Sequence, residues 1–213
     1  MKTLLLMLNL MLPNLSYTES FPSPFIDKIS KHSIVSPLGE IDFFGTMSDS
    51  DLSEIEKIAT NQQSIHWARY CFQTSLKSAV KAKNENKDLE EINNLVEKTL
   101  TWHYRSLVVA QRDRGISKDN TIDATGWINM DHSMRLGDLS DLIDQENVKP
   151  KDYIIPAIAW TRKHKDSWPS AERQDIADFG MGFFTNDGEL ENTSNWNSIR
   201  TDNLDYLEDI LLN

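Results

Sequence analysis

Gln62, His66, Arg69 and Gln73 recur at i, i+4, i+7 and i+11. At about 100° per residue this spacing puts all four on one stripe of a helix. The same side carries Ile55, Ala59, Phe72 and Leu76, so the polar stripe points toward an interior. A buried guanidinium needs a carboxylate or an anionic ligand, because an unpaired charge in a low-dielectric interior is costly. The stripe therefore implies one of two things. Either the stripe packs with Arg69 paired to a structural acid or lies partly exposed, or Gln62, His66, Arg69 and Gln73 line a pocket for a small anionic or polar molecule, with His103 as its fifth member.

His103 enters through a second aromatic-basic cluster. Trp102-His103-Tyr104-Arg105 echoes His66-Trp67-Ala68-Arg69-Tyr70. If a turn is centred on Asn86, His66 lies 20 residues before it and His103 lies 17 after it. At about 1.5 Å of rise per residue the two histidines differ in depth by only about 5 Å in an antiparallel pair.

Other chemistry has less to stand on. The sequence has no HExxH, CxxC, GxSxG, phosphate-binding loop or glycine-rich dinucleotide turn. A hydrolase would have to join Glu172 or Asp175 to His103, and spacing alone does not do this. A metal site across elements would draw on His66, His103 and Asp131 or His132, but the Glu-x-x-His step common in helical metal sites is absent. Asp119 to Gly126 alternates acidic and hydroxyl residues, yet Ala124 and Met130 stand where a calcium loop needs Gly and Glu. Neither a metal nor a cofactor is expected. Cys71, the only cysteine, excludes an intramolecular disulfide and reads as a packed side chain.

The elements that must position the stripe are helical. Leu52, Ile55, Ile58, Ala59, Ile65, Phe72, Leu76 and Val80 predict one long helix, and Leu89, Ile92, Val96, Leu100, His103, Leu107 and Ala110 predict another. Asn84-Glu85-Asn86-Lys87 joins them, and Gly115 ends the second. The fold expected is mainly α: a single-domain helical bundle built on a long antiparallel hairpin over about 51–113, with little or no sheet. After it come a loop to about Asn129, a short helix over Ser133–Glu146, and a helix opened by Asp152. That last helix is apolar nearly all round and is expected at the centre. A helix restarting at Pro169, a turn at Asn186-Asp187-Gly188, and a final helix over Asp202–Leu212 burying Leu204, Leu207, Ile210 and Leu211 complete the chain.

The 213 residues, 26% charged and 39% apolar, suit one globular domain. A net charge of −11 argues against nucleic acid and anionic membrane surfaces, which reward Lys and Arg. Residues 1–18 have the pattern of a signal peptide: Lys2, an apolar run from Leu4 to Leu12, then Pro13. That run is too short for an integral membrane span, which needs about 20 residues. Residues 19–47, with Pro22, Pro24, Pro37, Gly39 and Gly45, read as an extended leader before the domain at 48–213. The C-terminal part is strongly acidic, with Asp202, Asp205, Glu208 and Asp209 close together.

These features favour a secreted or periplasmic protein that acts by binding rather than by catalysis. The leading expectation is an acidic helical inhibitor, of the immunity-protein kind. It would dock a basic partner protein through Asp202, Asp205, Glu208 and Asp209. The alternative is a small-ligand binder or hydrolase using Gln62, His66, Arg69, Gln73 and His103.

Overall fold

Ser64 decides the shape of the first half of the molecule. The computed structural model describes residues 33–35, 41–43, 49–116, 124–143, 148–168 and 191–212. In it the expected first long helix is two helices, α1 (Asp49–Gln62) and α2 (Ile65–Asn84). Gln63 takes a left-handed φ of 39°, and Ser64 is extended and accepts a hydrogen bond from the Trp67 amide as the N-cap of α2. Periodicity misses this break because the apolar positions on either side stay in phase.

The hairpin turn falls where the sequence places it. Asn86 adopts φ 53°, and Asp88 caps α3 (Leu89–Arg112) through the Glu91 amide. The antiparallel hairpin is thus α2–α3, preceded by α1. Gly115, at φ 80°, ends the turn after α3.

Three later expectations are corrected. The last part of the predicted loop, residues 124–129, is instead the start of a helix: α4 runs Ala124–Leu136 and closes in a 3-10 turn, Gly137–Leu139, where the sequence predicts a helix over Ser133–Glu146. The next helix, α5 (Pro150–Lys163), starts at Pro150 rather than Asp152, which leaves Pro156 in its interior. It is not buried all round. Ala157, Ile158 and Thr161 are covered while Ile155, Pro156 and Ala159 face solvent. The last helix, α6, is longer than expected (Trp196–Leu212), and Ile210 is exposed rather than buried. The expected helix after Pro169, the calcium-like stretch at 119–123 and the signal-like residues 1–18 lie outside the described residues.

The chain divides into two units, Met1–Met47 and Ser48–Asn213. In the first, β1 (Ser33–Val35) pairs antiparallel with β2 (Ile41–Phe43), with Ile34 opposite Asp42. In the second, α3 is the hub, packing against α2, α4, α5 and α6. Its apolar residues feed two clusters. Val109 and Ala110 meet Ile65 and Ile128, while Val108 meets Ala157, Ile158 and Leu204. No helix among the described residues is long and apolar enough to cross a membrane.

Candidate functional site

Packing α4 beside the α2–α3 hairpin collects polar side chains from three helices in one buried region. Arg69 and Gln73 come from successive turns of α2, His103 from α3, and Asp131 and His132 from α4. Arg69 Nη2 donates to Asp131 Oδ2 at 3.3 Å, and Arg135 Nε donates to Asp131 Oδ1 at 2.8 Å. His103 and His132 face each other with their Nδ1 atoms 3.1 Å apart. Phe72 lies flat on the His132 ring, with centroids 3.6 Å apart.

One proton can lie between two facing Nδ1 atoms. One imidazole therefore carries its hydrogen on Nδ1 and the other on Nε2. Burial pushes His103 from 6.5 down to about 4. Burial, then the proximity of His103, Arg69 and Arg135, holds His132 well below its ordinary value. At neutral pH both rings are uncharged.

The cluster is incompletely bonded. Arg69 Nε, Gln73 Oε1 and His132 Nε2 have no hydrogen-bond partner among the described residues, although their own residues are only 8%, 4% and 0% exposed. Buried polar atoms are ordinarily paired, and each one left unpaired costs about 1–3 kcal/mol.

Of the five residues of the predicted pocket, Arg69 and His103 are brought together through Asp131 and His132 of α4, and Gln73 is buried one turn beyond Arg69 on α2. Gln62 sits on the far side of the helix break and accepts a hydrogen bond from Trp67 Nε1 at 2.9 Å. The His66 side chain lies outside the described residues. The partner of His103 across the bundle is His132, which the sequence offered only as one of two metal-ligand options. No group of three His, Cys, Asp or Glu residues among those described is arranged to hold a metal ion.

A second buried polar group went unread. Asp113 accepts from Arg112 Nε at 2.8 Å and from Arg200 Nε at 2.7 Å, and all three side chains are buried. Burial alone would raise the Asp113 carboxyl, but the charges and hydrogen bonds of Arg112 and Arg200 outweigh it and hold it below its ordinary value. Arg112 also donates to the Gln63 carbonyl at 2.9 Å, tying the α1–α2 break to the end of α3. Asn203 Nδ2 caps the same helix end by donating to the carbonyls of Arg112 and Arg114. In sequence, Arg112 reads only as a helix-end charge.

The remaining candidates are placed as follows. Cys71 is buried, and burial first, then Glu56, pushes its thiol well above 9.0. Arg105 lies 4.7 Å from the ring centres of both Trp102 and Trp160. On α6, Asp202, Asp205 and Asp209 are exposed and Glu208 is half-buried. Arg162 of α5 is ion-paired to both Asp205 and Glu208. Tyr206, Ile210 and Leu212 stand among these acids, 59%, 55% and 67% exposed.

Comparison with protein-family models, with curated proteins and with solved structures gives no match.

Proposed function

We propose that the protein acts by binding a partner protein through the outer face of α6, and that the partner presents an apolar groove or helix edged by basic residues. One observation carries this reading: Tyr206 and Ile210, one turn apart and more than half exposed, are set among Asp202, Asp205 and Asp209. Exposed apolar side chains framed by polar ones are the usual composition of a docking surface, and tyrosine is a frequent anchor. Among the described residues Asp202, Asp205 and Glu208 outnumber the guanidinium of Arg162 that pairs with two of them, an acidic balance that favours a cationic partner and speeds encounter. The inner face of the helix is already committed, with Leu204 in the core and the partly buried Leu207 and Leu211 packed against it.

The test places a photo-crosslinking amino acid at position 206 of the full chain in an extract of the source cells. The expected result is one crosslinked protein. Ile210→Ala should weaken its binding at least about tenfold, and Asp202→Asn with Asp209→Asn should slow association and flatten its salt dependence. An equal crosslink from a control position such as Glu90, or binding indifferent to both sets of changes, would overturn the reading.

A further inference from the structure

The strongest feature left unexplained by an α6 docking face is the set of buried polar atoms on α2 and α4 that have no partner among the described residues. They differ in kind. Arg69 Nε–H can only donate, Gln73 Oε1 can only accept, and His132 Nε2 does either according to which imidazole holds the shared Nδ1 proton. All three belong to side chains at least nine-tenths buried. The charge nearby is already engaged, because Asp131 takes Arg69 on one oxygen and Arg135 on the other. Asp131 and Arg135 are partly exposed, so this edge of the cluster reaches solvent.

We infer that this cluster is a binding site for a small uncharged group that offers a hydrogen-bond acceptor and donor together, as a carboxamide or a hydroxyl does. A carboxylate brings acceptors only and would set its oxygens against Gln73 Oε1. An ammonium brings donors only and would face Arg69 Nε–H. A carboxamide places its oxygen on Arg69 Nε–H and its N–H on Gln73 Oε1, and the tautomer of the histidine pair adjusts to whatever reaches His132 Nε2. The inference rests on different residues from the docking face and stands or falls separately from it.

Acetamide, with acetate as its charged isostere, tests this in the full 15N-labelled chain by following the Arg69 Nε–H and His132 Nε2 resonances. Acetamide should move both saturably, with a dissociation constant in the range of about 1–100 mM set by so few atoms. Acetate should bind at least about tenfold more weakly, and Gln73→Met should weaken acetamide by a similar factor, through loss of one hydrogen bond. Tighter binding of acetate would overturn the proposal in favour of an anion site. No saturable shift from acetamide would overturn it in favour of buried water. If Gln73→Met does not fold, the acetamide–acetate contrast in the unaltered chain decides alone.

Discussion

The Arg112–Asp113–Arg200 group and the Arg69–His103–His132 cluster are both polar and both buried, yet they are built on opposite terms. In the first, one carboxylate receives two guanidiniums, Gln63 and Asn203 add bonds across the break and the helix end, and the parts draw on the α1–α2 break, the end of α3, and α6. In the second, one histidine faces another, Arg69 reaches its acid at a long 3.3 Å, and three polar atoms are left over. A densely bonded group of this kind fixes how helices meet. An incompletely bonded one holds free energy that a ligand can recover. Burial of polar residues alone does not separate a structural device from a site.

That contrast predicts mutations of different size. Asp113→Asn should be the most damaging, since it leaves two buried guanidiniums facing a neutral amide. A loss of about 3–5 kcal/mol in urea unfolding is expected, and a loss under about 1 kcal/mol would mean the group is not the clamp described.

Acid should come next, acting on the other cluster. Folded, His103 and His132 bind protons more weakly than when unfolded, so the unfolded chain takes up more protons as pH falls. Their contribution is full above 6.5 and drains away toward about 4, where His103 titrates. For His103 alone this amounts to about 3 kcal/mol. Unfolding measured across that window should show the slope, and the double variant His103→Gln/His132→Gln should flatten it.

Gln73→Met should have a smaller effect and the opposite sign. Removing an unpaired buried acceptor with little change of volume is expected to leave stability unchanged or raise it by about 1 kcal/mol. A clear loss in thermal unfolding would show that Gln73 is as well bonded as Asp113 and would erase the contrast. Arg162→Ala should do least. Its ion pairs with Asp205 and Glu208 are largely exposed, so under about 1 kcal/mol is expected. Charge reversal at the same position should alter association with a cationic partner without altering the melting temperature.

Much of the scaffold is local and could be read along the chain. The turn at Asn86 and the stop at Gly115 follow from residues that tolerate positive φ. The end of α2 and the extent of α3 around that turn follow from apolar periodicity, and the inward direction of Arg69, Gln73 and His103 from helical geometry. The break at Gln63–Ser64 was harder to see, because the only signal is a capping serine inside an unbroken apolar rhythm.

What the sequence by itself determined is therefore a mainly helical fold, its central hairpin, and three polar residues pointing into it. These depend on backbone preferences and on one helix at a time. Only the tertiary structure decided the partners. Asp131 comes to Arg69 from 62 residues away, and Arg200 comes to Asp113 from 87. Neither pairing leaves a periodic trace, since a carboxylate on one helix has no register with a guanidinium on another until the helices pack. The same holds for the unpaired Arg69 Nε, Gln73 Oε1 and His132 Nε2. Whether a buried atom is bonded is a property of the space around it, and that space exists only once α4 lies against the hairpin.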